Sequence, residues 1–258
     1  MRLLTLFSLK QWLLLLVATS LILVAVPKAN AANFKLDKTR VVLDETTSRD
    51  EIRIYNDSDV LQSFKVSLIE MEMNEEGSLI EVESYAKSAK PYLRIGPRIS
   101  RDVKPHTFQK VRIIKKESPK AGEYRSHLVV EALNQEPVKQ VSGIFIRPNL
   151  KYVIPVFVVQ GQEGGELQFG EPVVTDEGKL DLVMTRTGEG SVSGNIVVTD
   201  KNSEEIYRAN QVSIYPELSR RMLKTELNIA DFKGQSLTFM LEDPKQDNEI
   251  VVQRVLTL

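Results

Sequence analysis

Glu51-Ile52-Arg53-Ile54-Tyr55 alternates charged and apolar residues and runs straight into Asn56-Asp57-Ser58-Asp59, four residues that favour turns. An extended chain with that alternation buries Ile52 and Ile54 on one face and leaves the charges on the other. Gln109-Lys110-Val111-Arg112-Ile113 repeats the pattern, and Gln62 to Leu68 follows it in part. His127-Leu128-Val129-Val130 is a more continuous apolar run, as a strand covered on both faces would be. Turn chemistry at Glu76-Gly77 and Lys120-Ala121-Gly122 separates these segments. No segment keeps a 3.6-residue period over three turns. The best helical candidate, Glu217 to Leu223 after Pro216, is too short to stand alone.

The second half has the same texture. Strands are expected at Lys179–Thr185, Ser193–Thr199, Ile206–Ile214, Arg221–Leu227, Ser236–Leu241 and Glu249–Leu256, with turns at Gly178, Gly188, Gly190, Asn202, Pro216, Gly234 and Pro244. That spacing is the rhythm of an antiparallel sandwich. The polar, glycine-rich Gln160-Gly161-Gln162-Glu163-Gly164-Gly165 is the best linker in the chain. The expectation is therefore an all-β protein with two immunoglobulin-like β-sandwich domains in tandem, over 32–160 and 161–258.

Residues 1–31 are expected to lie outside the fold. Arg2 and Lys10 form a positive start, Trp12 to Val26 is apolar except for Thr19 and Ser20, and Ala29-Asn30-Ala31 offers a small-residue cleavage site. That order is the signature of a secretory signal peptide, and the apolar run falls short of the ~20 residues of a membrane span. Its removal takes away Arg2, Lys10 and Lys28 and no acid. The remainder then has 31 basic residues (34 minus 3) against 35 acidic, a net charge of -4. No later stretch is apolar enough to insert stably in a bilayer. A near-balanced charge does not favour nucleic acid as a partner. Hydrophobic residues at 42% exclude a disordered chain. Without Cys, a thiol nucleophile, a disulfide and a Cys-based zinc site are excluded.

Little in the sequence supports catalysis. His106 sits in the turn Lys104-Pro105-His106-Thr107, and His127 follows Ser126 in a strand. Adjacent strand residues point to opposite faces, so Ser126 and His127 cannot act as nucleophile and base. Both histidines read as surface or satisfied polar residues. Glu70, Glu72, Glu75 and Glu76 read as a solvated strand end rather than a glycosidase pair. Gly161 to Gly165 lacks the strand–glycine–helix setting of a phosphate cradle. No enzyme, metal site or cofactor is expected.

Val141 to Val159 is the segment that fits a self-contained sandwich least. It reads Val-Ser-Gly-Ile-Phe-Ile-Arg-Pro-Asn-Leu-Lys-Tyr-Val-Ile-Pro-Val-Phe-Val-Val, far longer than an ordinary strand of about five or six residues. Pro148 and Pro155 cannot donate ladder bonds, which confines it largely to a sheet edge. A long apolar edge is left open where another chain is meant to pair with it. The pattern is equally that of the last strand of the first domain, with its apolar residues buried at home.

Several blocks, in order, resemble the PapD-like periplasmic chaperones of chaperone–usher pilus assembly. Phe34-x-Leu36-x-x-Thr39-Arg40-Val41-Val42-Leu43 resembles the opening strand, and Ile52-x-Ile54-x-Asn56-x-Ser58-Asp59 the second strand and its turn. Pro97-Arg98 with Pro105-x-x-x-Gln109-x-Val111-Arg112-Ile113 resembles the central block, and Gly122-Glu123-Tyr124-Arg125-Ser126-x-Leu128 the strand after it. The resemblance covers most of 34–158 and thins over 166–258 to Gly190, Tyr215 and the strand spacing.

The resemblance implies a chaperone that donates an edge strand to a pilus subunit lacking one and anchors the subunit's C-terminal carboxylate in the interdomain cleft. Arg40 and Lys151 match the family's anchor positions. Ile144 and Ile146 match its donor positions, whereas Ser142, the next such position, is polar. Burying each isoleucine contributes about 1.5–3 kcal/mol, and each charge-assisted bond to the carboxylate about 1.5–3 kcal/mol. An arginine that the family often places after the last strand of domain one is replaced here by Ile154-Pro155-Val156, so its interdomain ionic network is absent or rebuilt. The short stretch from Asn134 to Val141 resembles the short-loop chaperones. The implied partners are pilus subunits and an outer-membrane usher, the implied location is the periplasm, and two copies shielding each other's strand is a further expectation. A rival reading of the same texture is a secreted two-sandwich adhesin or surface subunit.

Overall fold

The computed structural model describes residues 34–133, 150–161, 164–244 and 246–257. The expected signal peptide and the donor residues Ile144 and Ile146 lie outside the described residues. The chain folds into strands joined by turns, with two short 3-10 turns at Lys90–Tyr92 and Ile229–Phe232. Two sandwiches follow one another.

The first is built from β1 (Phe34–Leu36), β2 (Val41–Leu43), β3 (Arg49–Asn56), β4 (Gln62–Met73), β5 (Leu79–Val82), β6 (Leu93–Gly96), β7 (Ile99–Val103), β8 (Phe108–Lys115), β9 (Gly122–Leu133) and β10 (Lys151–Gln160). One sheet has the order β1-β3-β8-β6. The other runs β2-β10-β9-β4-β5, with β7 also on β4. The opening strand divides between the two: β1 pairs antiparallel with β3, and β2 pairs parallel with β10. Alternation does what the sequence implied. Ile52 and Ile54 from β3 and Val111 and Ile113 from β8 are fully buried, and they meet Phe64, Val66, Leu128 and Val130 from the opposite sheet.

The second sandwich comprises β11 (Gly165–Phe169), β12 (Val173–Val174), β13 (Leu180–Gly188), β14 (Val192–Thr199), β15 (Glu205–Ile214), β16 (Arg220–Leu223), β17 (Ser236–Asp243) and β18 (Glu249–Thr257). Its sheets are β11-β13-β12 with β16 on β13, and β15-β14-β17-β18. Leu180, Leu182, Met184, Ile196, Val198, Leu237 and Phe239 form its core. The expected strands here agree with those observed to within a few residues. Arg220–Leu223 is a strand on β13 and no helix forms after Pro216, because pairing with Leu182–Thr185 satisfies more backbone than one isolated helical turn can.

Two expectations about polar residues need correction. Glu70 is buried rather than solvated: it lies on the inward face of β4 and takes hydrogen bonds from Ser88 Oγ (2.9 Å) and Ser126 Oγ (3.0 Å). Ser126 Oγ in turn accepts the Ala89 and Lys90 amides and so fixes the 3-10 turn. His127, on the opposite face of β9, is fully buried with neither ring nitrogen bonded, so it is neither a surface nor a satisfied histidine. His106 lies in its expected turn, exposed beside Asp59 at 3.1 Å.

Candidate functional site

The outer face of the β2-β10-β9-β4 sheet is covered at one end by the second sandwich, and the polar chemistry concentrates there. Met73, Phe157 and Tyr215 are buried together, with Val42, Leu79, Val159 and Leu218 around them. Rings and guanidinium groups stack across the junction. Arg40 lies 4.0 Å over Phe157, Phe157 is 6.0 Å from Tyr215, and Arg125 lies 3.7 Å from Tyr215 and 5.1 Å from Tyr85.

Arg125 carries a nearly dry charge at the junction, its side chain 1% exposed. Its Nη2 donates to Glu217 Oε1 at 2.7 Å and to the Met71 carbonyl at 2.9 Å. Glu217 also accepts the Met73 amide at 2.9 Å and the Tyr85 hydroxyl at 3.0 Å. Burial by itself would raise the Glu217 carboxyl. The bond and charge of Arg125 and the Met73 amide outweigh it and hold the group below the usual carboxylate range. Burial pushes the Tyr85 and Tyr215 hydroxyls up, and Tyr85 stays a neutral donor to Glu217. An ion pair thus joins the two sandwiches from β9, at Arg125. Beside it, Glu123 accepts the Ser191 amide and hydroxyl at 3.0 and 2.9 Å, while its other oxygen is buried without a partner. The β4–β5 turn adds a backbone bond from the Met222 amide to the Glu75 carbonyl at 2.8 Å and an ion pair, Glu76–Lys224, at 3.1 Å.

Arg40 and Lys151 stand differently with respect to this junction. Arg40 immediately precedes β2, half-buried. It reaches Ser193 Oγ in the second sandwich at 3.3 Å, and its Nε is buried with no partner. Val41 pairs with Val156, which puts Arg40 level with Pro155. Lys151 is four positions earlier on β10, roughly 13 Å away along the strand. It is exposed there, paired with Glu131 at 3.4 Å. The structure therefore does not bring the two cations together. Along β10, β9 covers one side from Lys151 to Gln160, while β2 covers the other only at Val156–Val158. Among the described residues, the flank from Lys151 to Pro155 has no strand beside it, and Val153 on it is 42% exposed.

Arg125 and Glu217 escaped the sequence reading as a pair. A charged residue inside the run Tyr124 to Val130 signals a partner, but nothing local points 92 positions on. Ser191 and Ser193 carry no signal at all.

No family model matches the sequence, and no curated protein matches it. Solved structures do. A chain of the CsuC–CsuE chaperone–tip adhesin pre-assembly complex from the archaic chaperone–usher Csu pili of Acinetobacter baumannii matches with a TM-score of 0.54 at 11% identity, over 87% of this chain and 97% of that one. The E. coli chaperone DraB matches with a TM-score of 0.53 at 16% identity, over 89% and 98%. The class 5 fimbriae chaperone CfaA matches with a TM-score of 0.52 at 15% identity, over 87% and 98%. Two immunoglobulin-like sandwiches, an opening strand shared between sheets and a charged junction between the halves give this chain the fold of the periplasmic chaperones of chaperone–usher pilus assembly.

Proposed function

We propose that the protein is a periplasmic chaperone that binds pilus subunits by adding β10 and the segment before it to an incomplete subunit sheet, while Arg40 holds the subunit's C-terminal carboxylate. The observation that carries the reading is the flank of β10 from Lys151 to Pro155, which has no strand beside it among the described residues and runs toward the junction where Arg40 keeps a buried donor without a hydrogen-bond partner. A strand added to that flank gains backbone bonds that demand no particular sequence. A carboxylate at Arg40 gains charge-assisted bonds that fix its register. Binding alone is involved, and no bond is made or broken.

Arg40 is the primary anchor in this reading. Lys151 reaches the same carboxylate only after leaving Glu131, so its contribution is smaller. Ile144 and Ile146 are the donated side chains. The remaining parts of the proposal are a cleaved leader at 1–31, domains over 32–160 and 161–258, an outer-membrane usher that receives the loaded chaperone, and mutual capping of two copies without a client.

The test is co-purification from the periplasm with a pilin-like subunit encoded beside this chain. Arg40→Ala is expected to abolish capture with melting unchanged, Lys151→Ala to weaken it, and Ile146→Asp to weaken it without altering the monomer's melting. Full capture by Arg40→Ala overturns the anchor, and unfolding by Ile146→Asp returns that residue to the chaperone's own core.

A further inference from the structure

The β1-β3-β8-β6 sheet turns its other face to solvent, on the side of the first sandwich away from the client flank. The residues pointing outward there include Lys35, Arg49, Arg53, Lys110, Arg112 and Arg94, against one acid within the face, Glu51. Composition does not produce this, because the whole chain is nearly balanced. Glu51 answers Lys110 at 3.0 Å and Arg53 at 3.5 Å, and Lys35 is answered by Asp57 at 2.9 Å in the adjoining turn. Arg49, Arg94 and Arg112 have no acidic partner among the described residues and are exposed.

Register fixes their spacing. Arg49 and Arg94 both pair with Ile114, one from each side, which sets them two strands or roughly 10 Å apart. Arg112 lies in the next outward row, between Glu51 and Gly96, and the glycine leaves that side open. Three forked cations thus stand in one plane. At the other end of the face, Tyr55 and Phe108 pack at 5.4 Å, with Arg53 over Phe108. Leu61, 52% exposed, and Val60 lie in the turn that follows β3.

We infer that this face is a docking surface for an anionic phospholipid membrane. A plane of cations bordered by exposed Phe, Leu and Val matches a bilayer surface, where cations meet headgroup phosphates and the apolar border enters the interface. Guanidinium forks suit phosphate oxygens well. A folded protein partner would call for relief to interlock with, and alternate residues of four strands present little. The inference stands whether or not β10 captures a client.

The test is sedimentation of the full chain with vesicles of phosphatidylglycerol in phosphatidylcholine, against pure phosphatidylcholine. The chain is expected to sediment with the anionic vesicles at low salt and less at about 0.15 M. The triple variant Arg49→Glu, Arg94→Glu, Arg112→Glu is expected to bind about tenfold more weakly or worse with unchanged melting. A triple reversal of equal charge on the second sandwich (Lys201→Glu, Arg220→Glu, Lys233→Glu) is expected to bind nearly as well as the parent. No binding to anionic vesicles overturns the inference. So does equal loss in both triple variants, which would make net charge the cause, and so does face-dependent retention on immobilised polyglutamate without vesicle binding, which would make the partner an acidic protein.

Discussion

His127 ties the stability of the first sandwich to pH. Burial first, and the nearby charge of Arg125 second, lower its pKa from 6.5 to about 4. The unfolded chain therefore binds a proton between those values that the folded chain refuses, and stability falls as pH drops from about 6.5 to about 4. The full shift corresponds to a penalty on the order of 3 kcal/mol. Glu217, whose carboxyl is held below its ordinary range, loses stability in the same direction at lower pH. Urea midpoints are expected to fall between pH 7 and pH 4.5, and His127→Leu should flatten most of that slope. An equally steep slope in the variant would place the titration elsewhere. The sequence marked His127 as non-catalytic by strand parity. Its strand read as covered on both faces, but that neither ring nitrogen finds a partner was not legible, because an isolated strand does not show what covers its outer face.

At the scale of elements, the turn between β3 and β4 depends on one side chain. Asn56 is fully buried, and its amide donates to the Val60 and Val103 carbonyls at 2.8 and 2.9 Å, while its oxygen accepts the Ser58 hydroxyl at 2.6 Å. Asn56→Ala leaves those carbonyls without their donor and is expected to cost about 1–3 kcal/mol, measured by urea denaturation. Asn56→Asp should do no better, since a carboxylate cannot donate to either carbonyl. The turn was readable from Asn56-Asp57-Ser58-Asp59 alone. The reach from Asn56 to Val103 was not, because it spans 47 positions. The long strand shows the same division. Its β character was plain from composition, whereas β2 protects only Val156–Val158 of its outer side, a fact that belongs to the neighbouring strand.

At the scale of the molecule, the two sandwiches meet through Arg125, Glu217, Tyr215 and Phe157. Arg125→Ala leaves the Glu217 carboxylate buried without its cation and is expected to cost about 3–5 kcal/mol. It should also split a single thermal transition into two, as the halves uncouple, in calorimetry. Replacing both partners, Arg125→Met with Glu217→Gln, is expected to recover much of that loss, because the main penalty is an unpaired buried charge. Failure of the double variant to recover would mean that the guanidinium's ring stacking matters more than its charge.

Local chemistry was sufficient for the β architecture and the strand positions, because alternation and turn residues act over a few positions and the sheet reads them directly. Matched blocks named Arg40 and Lys151 together. Their distance along β10 follows from the parallel register with β2, which sets Pro155 and not Lys151 level with Arg40, and a count along one strand is blind to that register. The junction chemistry of Arg125 with Glu217 and of Glu123 with Ser191, and the gathering of six cations on one outer face, exist only once distant strands pack. Contact across such separations depends on sheet order and domain docking, and no local pattern in the chain encodes either.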